Sequence, residues 1–272
     1  MEYVTSVLSE VLGEPFDPRR VYKDNRYLSN DKLREWVGFT MLRRAGQLPG
    51  IPLGMANMRI MAESMDRDRI NALFAAAREQ DPKLDACMRA RHIPAYTADD
   101  FTDYPPGTFG ALVHENVVKR NFQIDMTAGF QVETDAQYWR VRGLWTHDLE
   151  HILGGAQFNI VGEMLPHMMR YGFTFRHLPP ELAGLLSTPL YMQTMSQLVS
   201  AMLHTPNIFV TLFNTIQRGW TIGQSSGPYF YARMEDYFHL PIEEARQALE
   251  IRNVVEVDTS EASEKLMAQA LA

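Results

Sequence analysis

The stretch "THDLEHILGGAQFNIVGE", residues 146–163, sets His147, Asp148, Glu150, His151 and Glu163 in an otherwise apolar run. Imidazoles and carboxylates are the side chains that bind divalent metals and move protons near neutral pH. His147 and His151 are four apart, so on a helix their Cβ atoms lie about 5–6 Å from each other on one face. Two imidazoles at that spacing can reach one ion, as in helical zinc motifs. Asp148 can rotate in as a further ligand or orient a histidine from behind it. Glu163 follows His151 by twelve residues, which on one unbroken helix is a separation of about 18 Å. Gly154 and Gly155 intervene, however, and glycine past the last periodic residue is a helix stop. Asn159 can then cap a second helix whose first turns carry Glu163 back to the ion. A set of His147, His151, Glu163 and Asp148 leaves coordination positions open, which suits catalysis better than a closed structural site. The bland alternative is a polar helix end in contact with water.

Two other chemistries share these residues. His147 to His151 reads H-x-x-E-H, a zinc-hydrolase pattern in which Glu150 is the general base. That pattern needs another carboxylate far downstream, for which Glu235 and Asp236 are available. His147-Asp148 is also an HD doublet of the phosphohydrolase kind, with His114 as the upstream histidine.

The elements that must position these groups read as helices. "NDKLREWVGFTMLRRAG" (30–46) opens with N-cap residues and ends at a glycine, with Leu33, Trp36, Val37, Met41 and Leu42 on one side. "MDRDRINALFAAAREQDP" (65–82) repeats the pattern and stops before a proline. Residues 91–110 are a turn-rich loop that enters a helix near Thr108. Further helices are expected over 109–121, 134–153, 159–171, 188–204, 206–219 and 241–251. "SSGPYFYARM" (225–234) is the best candidate for a short extended piece, and 253–272 reads as a loosely held tail. The expected fold is therefore mainly α, a single-domain helical bundle with little or no β structure. It divides into an N-terminal helical extension (1–50), a domain carrying the motif (51–252) and the tail.

The methionines after the cluster have two readings. Met164, Met168 and Tyr171 fall about a turn apart, with Met195 and Met202 opposite. Methionine fills irregular apolar space, so these side chains are either core packing or the lining of a channel for a long hydrocarbon chain.

The 272 residues are 46% hydrophobic and 22% charged, an ordinary globular composition. The formal net charge of -7 argues against nucleic acid as a partner. A single cysteine, Cys87, fits a reducing compartment and a packing role. The first residues lack the charged start and apolar block of a signal peptide, and no stretch has the roughly 18–20 uninterrupted apolar residues of a membrane span. A bacterial cytoplasmic protein is the simplest expectation.

The spacing itself resembles a known family, the coenzyme Q biosynthesis protein four family. Its hallmark is H-D-x-x-H, eleven residues and a glutamate, matched here by His147-Asp148-Leu149-Glu150-His151, residues 152–162 and Glu163. "YPPGTFG" (104–110) resembles the family's Pro-x-G-T-F-G segment. "EDYFHLPIEEARQALEI" (235–251) resembles its C-terminal segment with a Pro-Leu-x-x-x-Arg helix. The match covers roughly residues 55–252, with the segments in the family's order. Glu150 stands where the family usually has an aromatic, and Gly154-Gly155 where it usually has Thr-Gly.

The resemblance implies a largely helical protein that binds zinc through the motif and acts late in ubiquinone assembly. The implied reaction is removal of the C1 carboxyl of a polyprenyl-hydroxybenzoate, in oxidative form with replacement by hydroxyl. Asp148 or Glu150 would handle the proton, and iron(II) would replace zinc if the metal itself is redox-active. The implied partners are a prenylated quinone precursor or another isoprenoid lipid and other ubiquinone-biosynthesis enzymes. A homo-oligomer held peripherally at the inner face of the bacterial membrane is expected. A metal-containing scaffold that presents the prenyl lipid to other enzymes is the alternative.

Overall fold

The computed structural model describes residues 2–23, 25–44, 50–122, 127 and 130–270. Capping residues set most helix starts. After α1 (Glu2–Leu12) and α2 (Arg19–Tyr22), Asn30 opens α3 (Asp31–Leu42) by accepting a hydrogen bond from the Leu33 amide. The glycine expected to end this helix, Gly46, lies outside the described residues. α4 is Gly50–Ser64, and Asp66 caps α5 (Arg67–Gln80) through the Arg69 amide. α5 stops before Pro82 as expected, with Asp81 extended; Asp81 also accepts from Lys83 and Leu84, and Pro82 opens α6 (Pro82–Ala90). Proline suits this first helical position because its missing N–H would have no partner there.

Thr108 caps α7 (Phe109–Val113), where the sequence places a helix start, and a π-helical turn follows over His114–Val118. The expected 134–153 helix is two helices, α8 (Asp135–Trp145) and α9 (His147–Gly154), joined at Thr146. Then come α10 (Met164–His177), α11 (Pro180–His204) and α12 (Phe209–Ser225). α11 starts well before the expected residue 188. α13 is Ile242–Ala248 and α14 is Ser260–Ala270.

The fold is mainly α, as expected, and a single helical domain. Among the described residues there is no strand, only an isolated antiparallel bridge between Thr108 and Pro241. The piece expected to be extended, 225–234, instead holds a 3₁₀ turn at Tyr229–Tyr231. Its aromatic alternation comes from Tyr229 and Phe230 turning into the core against Phe173 and Trp139, with no strand to pair. The segment expected to be a loose tail is α14, whose Ala262 and Leu266 are buried.

α10 and α12 form the tightest pair and run side by side in the same direction. A Cβ at Gly219 would lie 2.3 Å from the Leu165 carbonyl oxygen, and one at Gly223 2.1 Å from that of Met169. Glycine at both positions lets the two backbones touch. The larger core gathers Phe74, Trp139, Leu153, Phe173 and Phe230 beneath α9. A second apolar cluster joins Val161, Met164, Met168 and Tyr171 to Leu198, Ile216 and Leu266. Among the described residues, no helix is long and apolar enough to cross a membrane.

Candidate metal centre

α9 carries His147 in its first turn and His151 in its second. The helix stops where the glycines predict. Gly155 takes the left-handed φ of +72°, and the Ala156 amide reaches back to the His151 carbonyl at 2.8 Å. This is the Schellman closure. Arg246 finishes the cap from a distance: its buried guanidinium donates to the carbonyls of Leu153 and Ile152, both at 3.0 Å. A cation there also meets the negative end of the helix dipole. The two outlying segments of the family resemblance touch each other beside this helix. The Phe109 and Gly110 amides donate to the carbonyls of Leu240 and Phe238, each at 2.8 Å.

Past Gly155 the chain turns over residues 157–163 and enters α10. Asn159 accepts from the Gly162 amide at 2.9 Å, so it shapes this turn, and Glu163 stands just before α10 without capping it. The turn swings Glu163 back over α9. Its Oε2 lies 2.9 Å from His147 Nε2 and its Oε1 3.5 Å from His151 Nε2. One donor atom from each of the three residues falls within 4.8 Å of the other two.

The donor set fits a divalent ion. Tetrahedral ligands about 2.0–2.1 Å from zinc stand roughly 3.3 Å apart, and the two carboxylate–imidazole distances bracket that edge. His151 is fully buried and neither ring nitrogen has a hydrogen-bond partner, the 3.5 Å contact being too long to satisfy Nε2. Phe158 stacks on its ring at 4.5 Å. A buried imidazole nitrogen without a partner is costly unless something coordinates it. Electrostatics follow the geometry. Burial pushes the His147 imidazole down, but the Glu163 charge and hydrogen bond outweigh burial and leave it raised. Burial opposes the Glu163 charge, yet the two histidines hold that carboxyl well below its usual range.

The remaining sequence candidates separate. Asp148 sits beside the set without joining it, and burial raises its carboxyl. Glu150 points elsewhere: it is wholly buried and ion-paired with Arg170 from α10. It is not free to serve as a general base or proton donor at His147, and the H-x-x-E-H hydrolase reading loses the residue it depends on. Glu235, the downstream carboxylate of that reading, is engaged by His92, Tyr96 and Arg233. Met164, Met168 and Tyr171 are buried in the second cluster, and Met195 packs against it. Met202 is 53% exposed and faces outward, so it does not stand opposite them as expected.

Two neighbours escape the sequence reading. His167 is buried, its ring centre 5.3 Å from that of His147, with Nδ1 unpartnered. It follows Glu163 by four residues, the spacing that already marked His147 and His151, and this was its available signal. Arg170 had none, because its meaning depends on a tertiary partner.

No family model and no curated protein matches the chain. Among solved structures, it is similar to a Nostoc punctiforme protein provisionally assigned to ubiquinone biosynthesis. That likeness has a TM-score of 0.53 and 20% identity, over 75% of this chain and 99% of the other. It shows a shared fold.

Proposed function

We propose that the chain is a metal-dependent enzyme of ubiquinone assembly that removes the C1 carboxyl of a polyprenyl-hydroxybenzoate. The convergence of His147, His151 and Glu163 carries this reading, with the partnerless buried His151 behind it. The family resemblance and the ubiquinone-biosynthesis assignment of the Nostoc protein support the substrate class.

His147, His151 and Glu163 would hold zinc or iron(II). Such an ion supplies Lewis acidity toward a phenolate or carboxylate and stabilises charge on the ring as CO₂ departs. The chain's own share is orientation and proton supply. The ring–carboxyl bond breaks with its electron pair left on the ring, and the Asp148 carboxyl, lifted by burial, delivers the proton to that carbon. In the oxidative form the ring carbon takes no proton: dioxygen accepts the two electrons and leaves as hydrogen peroxide, and water supplies the hydroxyl oxygen.

Delivery of so apolar a substrate favours peripheral membrane contact. Val210 is 69% exposed, with Met202, Leu203 and Phe213 exposed around the same turn between α11 and α12. No Asp, Glu, Lys or Arg occurs from Leu182 to Gln217. An apolar, uncharged face of this kind suits insertion among acyl chains. Other enzymes of the pathway and a second copy of the chain are the partners this reading expects.

Protein purified without metal supplementation tests the proposal by elemental analysis and by CO₂ release from carboxyl-labelled prenylated substrate. Wild type should carry a divalent ion and release CO₂, and His147→Ala should do neither. Asp148→Asn separates enzyme from scaffold: an enzyme keeps the ion and loses CO₂ release. Absence of both metal and co-purified prenyl lipid would sink the reading.

A further inference from the structure

The segment after residue 252 lies outside the family resemblance, yet it grips the turn that delivers Glu163. It passes over the glycine stop of α9, where Glu256 and Val254 lie against Gly155. It then places Thr259 and Ser263, both buried, against residues 157–161. Asn159 Oδ1 accepts from Thr259 Oγ1 at 2.8 Å and from Ser263 Oγ at 2.7 Å, besides the Gly162 amide at 2.9 Å. The Ser263 hydroxyl in turn accepts from the Val161 amide at 3.2 Å. Gln157 Oε1 accepts from the Thr259 amide at 2.7 Å and from the Ser260 hydroxyl at 3.2 Å. Both side-chain carbonyls of the turn are thus taken up from α14 and its cap. Ala262 and Leu266 pack on Val161 and Met164 in the same apolar cluster.

We propose that Thr259 and Ser263 are positioning residues of the metal site, fixing through Asn159 and Val161 the turn that sets Glu163 against His147 and His151. The inference rests on the metal reading of those three residues. The turn has few other fastenings: residues 159–163 are not helical, and Glu163 is the one ligand outside α9. Lost fastening would leave the carboxylate free to move while both imidazoles stay in place. Residues that orient a ligand without touching the ion typically change metal affinity by about 10–100-fold.

The test is zinc affinity of the full chain, measured by competition with a chromophoric chelator, alongside the melting temperature of the metal-free protein. Ser263→Ala and Thr259→Val should each weaken zinc at least about tenfold, and Ser263→Thr should restore it. Leu266→Ala removes apolar packing from the same helix without touching the hydrogen bonds. If Leu266→Ala weakens zinc as much as Ser263→Ala at an equal loss of melting temperature, the effect is general destabilisation and the proposal is overturned. It is also overturned if Ser263→Ala binds zinc as wild type does while Glu163→Gln does not; the metal reading then survives alone. If wild type binds no zinc, or Glu163→Gln binds as well as wild type, the metal reading fails and this inference with it.

Discussion

Arg170 closes on the Glu150 carboxylate across the seam between α9 and α10, and both side chains are buried, Glu150 completely. A buried pair contributes little net stability, because desolvation offsets attraction, but removing one partner strands the other charge. Arg170→Met should therefore destabilise the protein by about 3–5 kcal/mol, and Glu150→Leu added to it should recover most of that. Chemical denaturation checks the cycle. Unchanged metal content in the double variant is expected, since the pair supports the site's frame and not its ligands; loss of metal there would restore Glu150 to the site.

Ligand removal should be selective. His147→Ala, His151→Ala and Glu163→Gln should each strip the metal, and Asp148→Asn should retain it. Truncating His151 also opens space in the core beside Phe158, so it should cost about 1–3 kcal/mol more stability than the half-exposed Glu163 change. Retention of metal by Glu163→Gln would remove the turn from the site.

Metal affinity should rise with pH. Coordination needs the His147 lone pair, which Glu163 holds protonated to a higher pH than usual. The sign for the metal-free fold is opposite. The raised His147 contributes stability that is fully present below the ordinary histidine value of about 6.5 and lost as pH climbs through the raised value. The depressed Glu163 contributes stability present above about 4.3 and lost as pH falls through the lowered value. The pair thus helps the metal-free protein most between about 4.3 and 6.5, and zinc should give its largest rise in melting temperature above that window. Equal zinc stabilisation at pH 6 and pH 8 would contradict this.

His167 should act in the other direction. Burial, aided by the charge of His147, lowers its imidazole to about 3. The unfolded chain takes up a proton near 6.5 that the folded one refuses, so this group costs the fold up to about 1.4 kcal/mol per pH unit between there and about 3. His167→Gln should flatten the loss of stability on acidification. An unchanged acid limb in urea titrations would show that the ring is not held neutral.

Membrane contact should be apolar in character. Flotation with neutral-lipid vesicles should persist in high salt, and Val210→Glu or Phe213→Glu should abolish it without changing metal content. Flotation lost in moderate salt would assign the contact to charge instead.

The glycine stop and the paired histidines were legible because each depends on residues close in sequence, and the return of Glu163 was legible only as what such a stop permits. Backbone sterics at Gly155 and helical spacing at His147 and His151 act locally. The channel set was only partly legible: burial of Met164, Met168 and Tyr171 follows from their shared helix face, whereas Met202 looks the same in sequence and faces outward. The stop of α5 before Pro82 was legible from the proline, whereas the helix that Pro82 itself opens was not, because it shows only once Asp81 is seen capping. Glu150 could not be placed without Arg170. The tail reads as loosely held because Thr259 and Ser263 spend their hydroxyls on a turn about a hundred residues upstream, and nothing in a window around them shows it.

The order in which the chain is made bears on when this centre can exist. The α9 carbonyls wait for Arg246, and the turn bearing Glu163 waits for Ser263. At ribosomal rates of about 5–20 residues per second, His147 precedes those contacts by on the order of ten seconds. During that interval the histidines are present as a helix without its closing partners. On the metal reading proposed above, loading would be a late step of maturation, in competition with chelation of stray ions by an unfinished chain.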